Sequence, residues 1–123
     1  MTPRARRGLA WLAVGLLLVA GCTPSAACAA ASVTLEVTVT VGAMDPSALS
    51  VCRDQDVTLQ VHSQMDGEFH LHGYDEQVPE TELVADETAT IEFTADVAGQ
   101  FIIEFHSPAG EEVEIGVLTV NEP

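Results

Sequence analysis

The sequence predicts an all-β fold, a Greek-key β-sandwich of seven to eight strands. Apolar and polar residues alternate with a period of two through most of the chain after residue 32, which is the pattern of strands with one buried face. Turns rich in Gly, Pro and Asp separate these short segments, and no segment shows a sustained helical period. We therefore expect a single β-sandwich domain over residues 33–123.

The first predicted strand is VTLEVTVTV at 33–41, which has valine or leucine at every odd position. This pattern is typical of a half-buried strand in an antiparallel sheet. The segment GAMDPS at 42–47 should break the strand, and LSVCR at 49–53 should form a short one. A turn then leads into VTLQVHS at 57–63, in which His62 points outward.

The second half of the domain shows the same alternation. Gly116 is expected to form a β-bulge that changes which residues of the last strand face inward. The remaining predicted strands are FHLH at 69–72, a short strand at 82–85, TATIEFTA at 88–95, QFIIEFH at 100–106 and VEIGVLTV at 113–120.

Residues 1–21 have the features of a lipoprotein signal peptide. Three arginines precede an apolar run that is too short to span a bilayer comfortably. The run ends in VAGC, which resembles a bacterial lipobox, in which the cysteine is acylated and becomes the mature N-terminus. We expect residues 22–32 to comprise a lipidated Cys22 and a flexible tether. The protein should then be lipid-anchored at the extracytoplasmic face of the cell envelope.

The chain is strongly acidic, with a formal net charge of −15 at pH 7. Outside the predicted signal peptide, Arg53 stands alone against 19 acidic residues. Such a field repels nucleic acid and anionic lipid surfaces. We therefore expect no nucleic-acid partner, and contact with the membrane only through the lipid on Cys22. The sequence has no nucleophile elbow or Gly-rich phosphate loop, so we do not expect an enzyme, and it does not identify a protein partner.

Two cysteines remain if Cys22 carries a lipid. In an oxidising compartment Cys28 and Cys52 favour a disulfide that pins the tether to the sandwich. The alternative is two separate thiols, with Cys52 buried as a small apolar residue.

Several segments resemble a cupredoxin-like domain. FTADVAGQFIIEFH at 93–106 is similar to a characteristic run of that family, and HLHGYD at 70–75 resembles a subgroup of small bacterial secreted members. The resemblance covers residues 41–120. It implies a cupredoxin-like sandwich and copper as cofactor, with His72 at the position of a copper ligand.

The sequence departs from this family at one important position. The family's copper-binding cysteine falls on Phe105, which has no lone pair, and HSPAGEEVEIG at 106–116 lacks the family's later ligands. A blue type 1 site needs a thiolate with two imidazoles and a weak axial Met. We therefore expect copper binding through histidines without a blue type 1 site, for copper handling and not for catalysis.

The histidines are the candidate metal ligands. His70 and His72 share one face of a strand because side chains alternate, and the resemblance places His106 at the same pole of the sandwich. We expect His72 to be the main donor, His106 its partner and His70 an auxiliary ligand. Met65 and Glu104 are further candidate donors.

The alternative is a metal-free cupredoxin-like structural or interaction domain at the cell surface. Tyr74 and Asp75 would then build a turn, and the carboxylates between Asp75 and Glu82 would form a solvated face. Ring nitrogens of His72 and His106 that approach each other closely would favour copper, and a wide separation would favour the alternative.

Overall fold

The computed structural model of the protein describes residues 26–123, which form a sandwich of two β-sheets. This confirms the predicted all-β sandwich, with nine strands among the described residues in place of the expected seven or eight. One sheet has the strand order β2-β1-β4-β7 and the other β3-β9-β8-β5-β6. The elements are α1 (Ala26–Ala29), β1 (Ser32–Thr40), β2 (Ala43–Asp45), β3 (Ala48–Cys52), β4 (Asp56–Ser63), β5 (Gly67–Leu71), β6 (Thr81–Leu83), β7 (Thr88–Thr94), β8 (Gly99–His106) and β9 (Glu112–Asn121).

Strand β2 lies where the sequence predicted only a break. Gly42 has a φ of 67°, which turns the chain tightly enough for β2 to pair antiparallel with the end of β1. Met44 is thereby buried in the core. Val41 was expected to face inward, but it lies in this turn and is 85% exposed.

The sheets are mixed, and the expectation of an antiparallel sheet around β1 is wrong in part. Strand β1 runs parallel to β4 from Ser32 to Val39 and antiparallel only to β2. Strand β3 likewise runs parallel to β9. The reason is topological: β3 crosses to the second sheet, so β4 returns beside β1 in the same direction. Alternation along a strand reports which face is buried and carries no information on strand direction.

The core lies between the sheets and contains the alternating apolar residues of both. Phe69 of β5 and Phe105 of β8 are cross-strand neighbours near its centre, so two large rings fill this part of the interior. The fully buried side chains also include Leu71, Leu83, Ile103, Leu118, Val39, Val57, Val61 and Val78.

A register shift interrupts the pairing of β8 with β9 close to the predicted bulge. Ile103 pairs with Gly116 and Glu104 with Glu114, so Ile115 is the extra residue. Ile115 and Gly116 are both buried, although they are consecutive. A Cβ at Gly116 would overlap the Met44 side chain, which explains why glycine occupies this position.

The N-terminal segment is fastened to the sandwich at one end of the second sheet. A disulfide joins Cys28 to Cys52. The buried Gln55 side chain donates hydrogen bonds to the carbonyl oxygens of Ala27, at 2.8 Å, and Ala30, at 2.9 Å. The last residues of the predicted tether, 27–32, are therefore held against the body. The predicted signal peptide at 1–21 and Cys22 lie outside the described residues.

Across residues 26–123, no helix is sufficiently long and apolar to cross a membrane.

Candidate metal centre

The pairing of β5 with β8 places four polar side chains side by side on the outer face of the five-stranded sheet. Glu68 lies opposite His106 and His70 opposite Glu104. Phe69, which separates Glu68 from His70, is buried, and alternation therefore directs its neighbours away from the core. This register, together with His72 just beyond β5, brings three histidines into one group.

His70 is the most constrained of the three. Its side chain is 15% exposed, and Nε2 is 2.7 Å from Asp75 Oδ1. A carboxylate only accepts hydrogen bonds, so the network assigns the proton to Nε2 and leaves the lone pair on Nδ1. Nδ1 is buried and has no hydrogen-bond partner among the described residues. The hydrogen bond from His70 lowers the pKa of Asp75 below its ordinary value.

Glu104 contacts the other two histidines through one oxygen. Oε2 is 2.8 Å from His72 Nε2 and 3.2 Å from His106 Nε2. The contact with His106 has hydrogen-bond geometry. The His72 contact is shorter but lacks that alignment, so the buried Nε2 of His72 has no hydrogen-bond partner among the described residues. Two imidazoles lower the pKa of Glu104 below its ordinary value. The contribution of His72 is the larger and that of His106 the smaller.

Glu80 approaches the cluster from the segment that leads into β6. Its Oε1 is 3.4 Å from His106 Nδ1 and 3.7 Å from His70 Nδ1. The connection between β5 and β6 thus supplies two carboxylates, Asp75 and Glu80, that cover His70.

The His70 ring packs against both other imidazole rings. The ring centroids of His70 and His72 are 4.1 Å apart, and those of His70 and His106 are 5.3 Å apart with the rings nearly perpendicular. We call His70, His72, His106, Glu80 and Glu104 the histidine cluster.

Ligand atoms of His70, Glu104 and His106 all lie within 4.8 Å of one another. A second group that meets the same distance is Glu68, Glu80 and His106. Two imidazoles with a carboxylate form a nitrogen and oxygen donor set that suits Cu(II) and Zn(II).

The predicted donors thus occupy two different places. His70, His72 and His106 lie together on the outer face of the five-stranded sheet. The family resemblance had implied that they would lie at a pole of the sandwich. Met65 packs against the hydrophobic core, and Ser63 Oγ donates to its carbonyl oxygen at 2.6 Å. His62 is exposed on the other sheet, with Nδ1 3.3 Å from Thr88 Oγ1.

Sequence reasoning treats two of the carboxylates that contact the histidines as solvent-facing or turn residues. Asp75 and Glu80 belong to a run of acidic residues with no distinguishing spacing. Their position beside the histidines depends on how the β5–β6 connection folds back over β5. The offset of five residues between His70 and Asp75 was the only available signal, and it is not specific.

The family's cysteine position does not supply a thiolate. Phe105 is 2% exposed and belongs to the core. Cys28 and Cys52 are bonded to each other, so neither offers a thiolate ligand. The donors in the described part of the chain therefore fit a nitrogen and oxygen site and do not fit the thiolate chemistry of blue copper.

Comparison with known proteins shows what this architecture resembles. No protein-family model and no curated protein sequence matches the chain. Among solved structures, it is similar to auracyanin A, a "blue" copper protein from Chloroflexus aurantiacus, with 20% identity and a TM-score of 0.57 over 73% of this chain and 99% of that one. Auracyanin from Roseiflexus castenholzii is 22% identical with a TM-score of 0.53, covering 74% and 98%.

A larger protein contains a similar unit. The blue copper oxidase from Nitrosomonas europaea is 17% identical with a TM-score of 0.57, covering 74% of this chain and 39% of that one. At these identities the comparisons establish the fold. The protein has a cupredoxin-like fold, as the resemblance implied.

Proposed function

We propose that this protein binds copper on the outer face of its five-stranded sheet, through His70, Glu104 and His106, with His72 as a further donor. The observation that carries the proposal is His70 Nδ1. Asp75 fixes the proton on the opposite nitrogen at 2.7 Å, so Nδ1 presents its lone pair, and this buried atom has no hydrogen-bond partner among the described residues. Metal-binding histidines are typically oriented by such a carboxylate.

Copper is the ion that the donor chemistry and the comparisons favour. Among divalent first-row metals, Cu(II) binds nitrogen and oxygen sites most tightly. The similar solved structures include proteins whose names describe them as blue copper proteins. Without a thiolate the site would be colourless or pale in its Cu(II) form, and it would not be a type 1 electron-transfer centre. We infer that it handles copper and does not catalyse a reaction.

We also propose a lipid-anchored location on the extracytoplasmic side, from the lipobox-like run that ends at Cys22. The disulfide between Cys28 and Cys52 supports the extracytoplasmic side, because disulfides are typical of oxidising compartments. Cys52 pairs with Asn121 at the last residue of β9, and His106 pairs with Glu112 at the first. The ten residues of β9 span about 30 Å at the usual rise per residue. An anchor at the disulfide end would thus hold the histidine cluster away from the membrane.

A copper titration tests the metal site. Residues 22–123, with Cys22→Ala to prevent lipid attachment, would be titrated with Cu(II) at neutral pH by calorimetry. We expect one saturable equivalent, and His70→Ala, His72→Ala and His106→Ala should each weaken binding at least about tenfold. His62→Ala is the matched control, since His62 is exposed on the other sheet. Equal effects of His62→Ala and His70→Ala would contradict the proposal.

The anchor is tested in the full chain. Cys22→Ala should move the protein from the membrane fraction to the soluble fraction after export. Unchanged membrane association would contradict the lipoprotein proposal and leave the copper site unaffected.

A metal-free structural or interaction domain is the second candidate. One observation favours it: each histidine of the cluster already contacts a carboxylate, at 2.7 Å for His70, 2.8 Å for His72 and 3.2 Å for His106. Each imidazole therefore has an anionic neighbour without an ion. Absence of saturable Cu(II) and Zn(II) binding in the same titration would support this candidate.

A further inference from the structure

The His106 ring lies between two carboxylates that belong to different candidate ligand groups. Nε2 is 3.2 Å from Glu104 Oε2, and Nδ1 is 3.4 Å from Glu80 Oε1. The side chain is 13% exposed. Both nitrogens of one imidazole therefore face an anionic oxygen, on opposite edges of the ring.

Each of these carboxylates completes a separate set of donors. Glu104, which contacts Nε2, belongs with His70 to the group proposed above to hold copper. Glu80, which contacts Nδ1, belongs with Glu68 and His106 to a second group, whose ligand atoms lie within 4.8 Å of one another. Glu68 is the cross-strand neighbour of His106, so its placement is set by the sheet register.

The second group is open to solvent. A cavity of about 610 Å³ lies against it, and Glu68 and His106 belong to its lining. Glu82, also in the lining, pairs with Glu68 across β5 and β6. An ion can therefore reach Glu68 and His106 from water along a path lined by carboxylates.

We propose that the sheet face binds two divalent transition-metal ions, with the His106 imidazole as a bridge between them. This inference rests on the proposed copper site, which is its Nε2 side. Glu68 and Glu80 bind the second ion. A neutral imidazole has one lone pair, so binding of the second ion requires the remaining ring proton to leave for solvent. The ring is then an imidazolate that donates one lone pair to each ion, and no electron transfer or other reactant is involved.

Electron paramagnetic resonance during a Cu(II) titration tests the bridge on residues 22–123 carrying Cys22→Ala. The first equivalent should give the signal of an isolated Cu(II) ion. The second equivalent should make the signal decrease, because two Cu(II) spins joined through an imidazolate couple antiferromagnetically. Adventitious copper on the acidic surface would instead add signal in proportion to the copper added, and that result would overturn the bridge.

Variants separate the two sites. Glu68→Gln removes a donor of the second group alone, so it should leave the first equivalent unchanged, weaken the second at least about tenfold and abolish the coupling. Glu80→Gln should also abolish the coupling. Glu92→Gln, an exposed glutamate on β7 of the other sheet, removes the same charge and should behave like the unaltered chain.

The outcomes distinguish this inference from the proposed function. If the first equivalent does not bind, the copper site itself is refuted. If the first equivalent binds as expected but the second produces no coupling, or if Glu68→Gln retains it, only the bridging site is refuted. Circular dichroism of each variant confirms that the sandwich is intact.

Discussion

Gln55 offers the most direct test of how the N-terminal segment is held. Its side chain is 4% exposed and makes three hydrogen bonds to the backbone. Nε2 donates to the carbonyl oxygens of Ala27 and Ala30, and Oε1 accepts from the backbone N–H of Cys52 at 2.8 Å. We expect Gln55→Ala to destabilise the protein strongly for a single polar side chain.

The expected loss of stability depends on whether water can replace Gln55 as the hydrogen-bond partner of each backbone group. Cys52 is buried, so its N–H loses its partner away from water, at a cost of about 1–3 kcal/mol. Ala27 and Ala30 are exposed, so water can satisfy their carbonyl oxygens and each loss costs less, about 0.5 kcal/mol. The free energy of unfolding should therefore fall by about 2–4 kcal/mol, which lowers Tm by roughly 10 °C or more for a domain of this size.

Thermal and urea denaturation, followed by circular dichroism with the disulfide intact, would measure this change. Gln55→Glu separates the two kinds of hydrogen bond, since it keeps an acceptor for Cys52 and loses both donors. Gln100→Ala, at an exposed position, controls for loss of an amide at the surface. A change below about 0.5 kcal/mol for Gln55→Ala, the range of ordinary surface substitutions, would refute this account of the clamp.

Three further substitutions test the site and its support. Asp75→Asn should weaken Cu(II) binding by about 10–100-fold in calorimetry, because His70 loses the carboxylate that fixes its tautomer. The stability of the fold should change little, because Asp75 is exposed. Glu76→Gln is the control and should not change Cu(II) binding. Tyr74→Phe should cost about 1 kcal/mol at neutral pH through loss of its backbone hydrogen bond. Burial raises the pKa of Tyr74 above its ordinary value of 10.0, so the stability of the unaltered protein should begin to fall as pH rises above 10.0. Urea denaturation at increasing pH should show that the Tyr74→Phe variant lacks the fall in stability that ionisation of Tyr74 causes. Gly67→Ala should cost about 1–3 kcal/mol by overpacking, because the new Cβ would overlap the Phe105 ring; equal stability in denaturation would contradict this packing argument.

Alternation predicted the strands that bury one face over most of their length. Strands β4, β7 and β8 lie within a residue or two of the predicted segments, because every second side chain enters the core. The same rule could not find β2, which has three residues next to a glycine turn and buries only Met44. Pairing direction was also out of reach, since β1 would show the same alternation in a parallel or an antiparallel sheet.

The candidate site was predictable in part for the same reason. Burial of Phe69 and Phe105 sends His70 and His106 to the other face of their strands, and the sequence shows this directly. It does not show the register that sets His70 opposite Glu104. Register and the return of the β5–β6 connection are properties of the folded sandwich, and they determine which carboxylates meet the imidazoles.

The place of the histidine cluster bears on what the protein would do with an ion. At the family's cysteine position Phe105 fills the interior, where a metal would be enclosed by the core. On the outer face the side chain of His72 is 45% exposed, so water or a ligand of another protein could displace this donor first. His70, Glu104 and His106, which are 15%, 25% and 13% exposed, would follow one at a time. Stepwise displacement allows an ion to leave without opening the sandwich. If the proposed site holds copper, exchange of this kind would suit receiving copper and passing it on better than repeated electron transfer, which requires the ion to stay in place.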